Sequence, residues 1–475
     1  MSWVDLTGSI YFGTQDAAGM FRTPVCSRKT SSVLGASPNR NRSRTNGTAI
    51  GKAAVAAAVR TASVLLAFKG RLRIDELSCR RAHFADFIFV RTMSTETNSD
   101  FIKIGSLFSR TGVTAFVERT LSNAVSLAVS EVNSAGGIGG RHLVLEEADP
   151  KGDLKLFEAE TLRLLESGVS NFFGCYLSST RKVTLPIIAQ HQKLLFYPTF
   201  YEGFEFSPNC IYSGAVPNQN TFWLADYLLD SYEKKYLLVG SNYVFPYETN
   251  RVMRDLVANR GGDVVDEIYI PLNPSPEEIA RVIEKIKAAL PIVVFSTLVG
   301  QGAVSFYKAY HEAGIDPKTS PIASLITGEA EVEQIGARAS AGHVTAAPYF
   351  SSIDTPQNLK FVAHYRDRYG KQSPICAAAE AAYLQVHLFA EAAKRAGAVD
   401  RESILRVLPT FSFEAPQGVV RVSRENHHTH LWPKVAIVDA NGEFRIVRES
   451  FEPVPPDPYL KGFDPGNSQN DEKSF

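Results

Sequence analysis

From residue 101 onward the chain alternates short apolar runs with stretches of helical period, and it does so in two series. In the first, 102–108 reads as a buried strand. Residues 118–134 place Leu121, Val125, Ala128, Val129 and Val132 on one helical face, which Gly136-Gly137 ends. A strand at 142–146, a helix at 154–165, a strand at 172–175 and a helix from about Ser179 follow. The second series opens at Tyr236. It has strands at 237–240, 268–270 and 292–296, with helices at 250–259, 276–290 and 302–313. Alternation of this kind builds mainly parallel sheets covered by helices on both faces, so the chain is read as α/β. The series break at 215–220 and again after Pro348. A long helix is expected at 380–396. A hairpin-like pair of 419–422 with 434–438 follows, with Asn441-Gly442 as a turn.

The first hundred residues differ from the rest. They are rich in Arg, Ser, Ala and Asn and poor in acids, and Asn39-Arg40-Asn41-Arg42-Ser43-Arg44 has no apolar period. Residues 1–99 are therefore expected to be a disordered leader or a gene-model artefact, with Met93 as an alternative start. Residues 53–68 are apolar enough to suggest a signal-peptide core, but the stretch lies deep in the chain and Arg60 interrupts it. The expected plan is a first lobe at 100–216 and a second at 217–347. A return to the first lobe follows at 348–415, then a return to the second at 416–450. An extended tail closes the chain at 451–475.

Composition narrows the function. Of 475 residues, Lys+Arg and Asp+Glu number 50 each, which gives no electrostatic reason for nucleic acid as a direct partner. The five cysteines are widely spaced with no C-x-x-C pair, which argues against a disulfide framework or a zinc site and fits a reducing compartment. Asn426-His427-His428-Thr429-His430 stands alone, without the second cluster of ligands that a structural zinc site needs, so no metal is expected there. No cofactor is expected, and no run approaches the roughly 20 apolar residues that span a membrane.

Ligands of open α/β sheets bind at the carboxyl ends of strands. Four such ends stand out: Ser109-Arg110-Thr111-Gly112, 174–180, 197–205 and 240–246. Hydroxyls and aromatic rings converging from two lobes suit a small, neutral, polar solute such as an amide. Ser178 and its neighbours sit where a helix begins, so capping that helix is the competing explanation for their hydroxyls. Glu329 and Glu331 read as solvated charge at a helix start, although they could meet a ligand ammonium.

These segments carry a resemblance. Gly174-Cys175-Tyr176 with Ser178 and Thr180-Arg181-Lys182, Tyr197-Pro198-Thr199 with Tyr201-Glu202-Gly203-Phe204-Glu205, and Pro217-Asn218-Gln219-Asn220 are long, specific signatures. Glu267-Ile268-Tyr269-Ile270-Pro271-Leu272, Ala347-Pro348-Tyr349-Phe350 and Ala415-Pro416-Gln417-Gly418 add to them. Over about 102–459 the chain resembles the type I periplasmic-binding-protein superfamily, in the branch of the amide-sensing negative regulator of the aliphatic amidase operon. Urea- and short-chain-amide-importer binding proteins are close relatives of that branch. The resemblance implies a two-lobed fold, each lobe a mainly parallel sheet flanked by helices, with a ligand cleft between them. It implies contacts from Tyr176, Ser178, Tyr197, Thr199 and Tyr243, with Phe200 and Phe245 as walls. Phe200 stands where the amide regulator has Pro, Phe245 where it has Tyr, and Ile326 where it has Thr.

Two binding roles follow from the resemblance. The main expectation is a cytoplasmic sensor of a short amide or urea acting through an RNA-binding antiterminator, with a homo-oligomer possible. The alternative is the periplasmic solute-binding component of a urea or short-chain-amide ABC importer, with a permease as partner. An amidase is not expected. Cys175 has no identifiable base, and the sequence has no G-x-S-x-G motif.

Overall fold

The computed structural model describes residues 2–4, 10–12 and 101–462. The chain separates into two units, Met1–Thr92 and Met93–Phe475. In the first, strands β1 (Ser2–Val4) and β2 (Ile10–Phe12) pair antiparallel. The remainder of the expected leader lies outside the described residues.

The second unit is built on two sheets. The first lobe holds β3 (Phe101–Leu107), α1 (Ala115–Ser134), β4 (His142–Ala148), α2 (Leu154–Glu166), β5 (Asn171–Gly174), α3 (Ser178–Gln190), β6 (Leu194–Tyr197) and β7 (Cys210–Tyr212). Its five strands are all parallel, in the order β4-β3-β5-β6-β7. The second lobe holds α4 (Thr221–Ser231), β8 (Lys235–Ser241), α5 (Val244–Asn259), β9 (Asp263–Ile270), α6 (Pro276–Ala289), β10 (Val293–Thr297), α7 (Gly300–Glu312), β11 (Ile322–Ser324), α8 (Glu329–Ile335), α9 (Ala337–Ser340) and β12 (Val344–Ala347). The chain then returns to the first lobe with α10 (Pro356–Tyr369), α11 (Ala377–Ala396) and α12 (Arg401–Val407). Phe389 of α11 packs edge-on against Phe173 and Phe196 of the first sheet. The expected two-lobed α/β fold is the one observed.

The terminal segment departs from expectation. Residues 419–422 do not pair with 434–438. They lie in β14 (Gly418–Val422), between β13 (Ser412–Ala415) and β15 (Thr429–His430), in a small antiparallel sheet. A bridge between His428 and Tyr212 ties that segment to the first lobe, and Val420 and Val422 belong to the core cluster around α1 and α11. β16 (Lys434–Val438) instead pairs with β12 and with β17 (Phe444–Glu449), antiparallel on both sides. The second sheet thus reads β17-β16-β12-β11-β10-β8-β9. The third crossing between sheets sits at 431–433, after β15, rather than near Pro416. Ala415-Pro416-Gln417-Gly418 is the turn between β13 and β14, with Gly418 at φ 127°. That backbone conformation favours glycine, so a motif read as a crossing is a hairpin turn.

Candidate functional site

The site lies where strands of both sheets end. Cys175 follows β5 with φ 66°, a conformation uncommon for a residue with a side chain. It is held there by its N–H, which donates to the Leu107 carbonyl at 2.9 Å. The turn aims Tyr176, Leu177 and Ser178 toward the second lobe. After β6, the Thr199–Phe200 backbone passes so close to Gly214 that a β-carbon there would lie 2.0 Å from the Thr199 carbonyl carbon. Gly214 therefore fixes where Thr199 and Phe200 stand. From the other lobe, Tyr243 and Phe245 stand at the start of α5, just beyond β8.

These residues gather around one narrow pocket in the cleft, lined by Tyr176, Leu177, Ser178, Thr199, Phe200, Tyr243, Phe245 and Val299. Six of the seven ligand contacts expected from sequence meet there. Tyr197 does not. It is fully buried, its hydroxyl donates to the Tyr176 carbonyl at 3.1 Å, and the Arg181 guanidinium lies 4.6 Å from its ring centre. It supports the cavity from behind. Leu177 and Val299 were not anticipated, although Val299 follows the β10 strand end, where the same rule could have found it.

Ser178 is not a helix cap. Leu177 holds the cap position, with no side-chain bond, and Ser178 is the first residue of α3. Its hydroxyl donates to Glu202 Oε2 at 2.5 Å and accepts from an Arg181 guanidinium nitrogen at 3.3 Å. Arg181 is fully buried and pairs with Glu202 at 3.3 Å and Glu205 at 2.8 Å. The charges behind the cavity are thus mutually compensated. The Thr199 hydroxyl makes one long bond, to the Cys175 carbonyl at 3.4 Å. Burial pushes the Cys175 thiol up to about 12, so it stays protonated and unreactive near neutrality.

A second pocket adjoins the first; Tyr176 and Phe200 line both. Glu329, Glu331, Asn220, Ile326, Thr345 and Tyr349 are among its other walls. Glu331 is 1% exposed, so it is not the solvated charge expected at this helix start. Its Oε2 accepts from the Gly328 N–H at 3.0 Å, and Glu329 Oε1 accepts from the Ser351 N–H at 2.7 Å. The other oxygen of each carboxyl, Glu331 Oε1 and Glu329 Oε2, has no hydrogen-bond partner. Burial raises Glu329 to about 7 and Glu331 to about 8. Sequence reasoning missed this burial because it comes from the packing of two lobes, not from the local pattern.

The lobes touch across the cleft. Phe200 and Phe245 meet edge to face at 5.5 Å between ring centres, and the Arg251 guanidinium lies 4.9 Å from the centre of the Phe204 ring. A β-carbon on Gly300 would approach the Val113 carbonyl oxygen to 2.7 Å. The histidine-rich segment serves packing. His428 stacks on Tyr212 at 4.2 Å and its Nε2 lies 2.6 Å from the Tyr201 hydroxyl. Among the described residues, no three His, Cys, Asp or Glu side chains gather around a possible metal position, and no helix is long and apolar enough to cross a membrane.

The buried carboxyls make a pH prediction. Glu118 and Glu329 are raised to about 7, Glu331 and Glu380 to about 8, each chiefly by burial. A carboxyl raised by folding stabilises the fold fully below its unfolded value of 4.5, and that contribution is lost as pH rises through 7–8. His343 and His428, lowered to about 3 by burial, act in the opposite direction, but only up to their unfolded value of 6.5. Lys434, lowered to about 8 by burial, opposes only above that pH. Between about pH 6.5 and 8 the melting temperature should therefore fall, by about 1 kcal/mol of stability per carboxyl. Glu331→Gln should flatten the slope. A melting temperature that holds or rises across that interval would contradict these assignments.

Two lobes with a cleft walled by residues of both are the architecture of a solute-binding protein. The chain belongs to the periplasmic binding protein family: the family's domain matches residues 102–464. A "Leu/Ile/Val-binding protein homolog 6" of Brucella melitensis is 23% identical over 341 residues, 70% of this chain and 85% of that one. A "Limonene hydroxylase" of Geobacillus stearothermophilus is 30% identical over 126 residues, 26% of this chain, and the matched span is only 23% of that protein's length. Among solved structures, a solute binding protein of an ABC transporter from Rhodopseudomonas palustris BisB5, in complex with 3,4-dihydroxybenzoic acid, superposes with a TM-score of 0.68. It is 20% identical and covers 75% of this chain and 99% of that one. A branched-chain amino acid transporter substrate binding protein from Streptococcus pneumoniae, in complex with isoleucine, gives 0.63 at 21% identity, covering 74% and 99%.

Proposed function

We propose that this chain is the solute-binding component of an ABC importer, working outside the cytoplasmic membrane, and that its solute is a short aliphatic amide or urea. The carrying observation is the lining of the cleft pocket. It brings hydroxyls of Ser178 and Thr199 from one lobe against Tyr243 of the other, between the rings of Tyr176, Phe200 and Phe245. The charges nearest to it, Arg181 and Glu202, are paired with each other, so the cavity presents neutral polar groups to a neutral polar solute. Closure follows if the solute touches both lobes and so binds the closed state better. The importer reading ranks above the cytoplasmic sensor with an antiterminator partner, because the transporter-binding relatives above support the former. The sensor rests on the resemblance alone. A second solute reading has its own observation. The unpartnered oxygens of Glu329 and Glu331 could receive the ammonium of an amino acid.

Single substitutions test the amide reading. Thr199→Ala should weaken acetamide or urea binding by about 1–3 kcal/mol, since the solute's polar group loses its partner in a buried site. Folding should change little, because the Thr199 hydroxyl makes only one long bond of its own. Ser178→Ala should lower both affinity and melting temperature, since Glu202 also loses a donor. Calorimetry that finds the same affinity for Thr199→Ala as for the native chain would count against this site.

A further inference from the structure

The two cavities in the cleft are neighbours of opposite character, and Tyr176 and Phe200 are the lining residues they share. On one side stand the hydroxyls of Ser178 and Thr199. On the other stand the carboxyls of Glu329 and Glu331, each with an oxygen that no described group satisfies. Tyr176 is almost fully buried, and its carbonyl is held by the Tyr197 hydroxyl. Phe200 is half-buried. Its backbone is set by the close approach of Gly214 and by the Tyr201 N–H donating to Ala215, and its ring leans edge-on against Phe245 of the opposite lobe.

We propose that Phe200 is a specificity-determining partition: its ring separates the hydroxyl-lined chamber from the acid-lined one and so limits the length of solute the cleft accepts. The inference deepens the reading of the cleft as a short-amide site. With the ring in place, a solute held by Ser178 and Thr199 ends at an apolar wall. With the ring removed, the chambers join, and a solute with an amide at one end and an ammonium at the other can reach Glu331. Glu331 Oε1, a buried carboxyl oxygen with no hydrogen-bond partner, is where such an ammonium would pair.

The test is calorimetry of the full chain with acetamide, urea and 4-aminobutanamide, on the native protein, Phe200→Ala and Phe200→Leu. Leucine keeps an apolar side chain at the position and guards against loss of the fold, which cooperative melting checks. Phe200→Ala should bind 4-aminobutanamide at least about ten-fold more tightly than the native chain, with Phe200→Leu between, a change on the scale of a resized pocket. Adding Glu331→Gln to Phe200→Ala should remove the gain; Gln keeps the oxygen that accepts from Gly328. The partition is overturned if the native chain binds 4-aminobutanamide as tightly as Phe200→Ala, or if the gain survives Glu331→Gln. Failure of the native chain to bind acetamide and urea would instead overturn the short-amide reading, and the comparison of Phe200 variants on 4-aminobutanamide would still decide the partition.

Discussion

Arg181→Met should cost about 3–5 kcal/mol of folding stability, the scale for breaking a buried ion pair by removing one partner. Arg181 has no exposed surface. Its Nε donates to Glu205 Oε1 at 2.8 Å, and its terminal nitrogens reach Glu205 Oε2 at 3.2 Å, Glu202 Oε1 at 3.3 Å and Ser178 Oγ at 3.3 Å. The guanidinium also lies over the rings of Tyr197 and Tyr201, 4.6 and 4.5 Å from their centres. Burial alone would raise the Glu205 carboxyl; Arg181 and Lys182 hold it instead at about 2. Methionine fills the space but leaves Glu202, 2% exposed, without its guanidinium. Lys182 can compensate only in part, at 3.8 Å from Glu202 and 2.9 Å from Glu205. The melting temperature should drop by on the order of 5–10 °C. Adding Glu202→Gln and Glu205→Gln should recover part of the loss, because the carboxyls then no longer carry buried charge. A melting temperature unchanged by Arg181→Met would mean that the pair contributes nothing, and that the signature 201–205 has some other origin.

That signature shows both what sequence reveals here and where it stops. Tyr201, Glu202 and Glu205 are recognisable as a motif, and the structure gives it a physical basis: it buries and neutralises Arg181 behind the cavity. The sheets were legible because strand and helix periods differ and because they alternate. The strand-end rule marked the segments 174–180, 197–205 and 240–246, and the family resemblance singled out the six residues within them that line the cavity. Three features depended on assembly. Tyr197 is the last residue of β6 and stays packed in the sheet, whereas Thr199 lies past the strand end, beyond Pro198, where the chain reaches the cavity. The 419–422 and 434–438 strands are near in sequence, but each finds its partners elsewhere, at 412–415 and at 344–347. Glu329 and Glu331 look like ordinary charge at the start of a helix until the lobes come together over them.

The largest effect at the site is the presence or absence of binding itself. An amide or urea of four heavy atoms has little surface to offer. With a ceiling of about 1.5 kcal/mol per heavy atom, its binding free energy reaches about 6 kcal/mol, a Kd of tens of micromolar or weaker. Such affinity requires that most of its groups be paired inside the closed cleft, which is what hydroxyls from both lobes and three aromatic walls supply. Leucine, by contrast, carries two charges and a branched side chain, and Phe200, which lines both the hydroxyl side and the carboxyl side of the cleft, is the partition proposed to keep it from reaching both together. Calorimetric titration of the full chain with acetamide, propionamide, urea, leucine and isoleucine tests this most directly. The account predicts saturable one-to-one binding of at least one short amide or urea, with no turnover and no comparable heat from the amino acids. Saturable binding of leucine or isoleucine, with none of any amide or of urea, would contradict it.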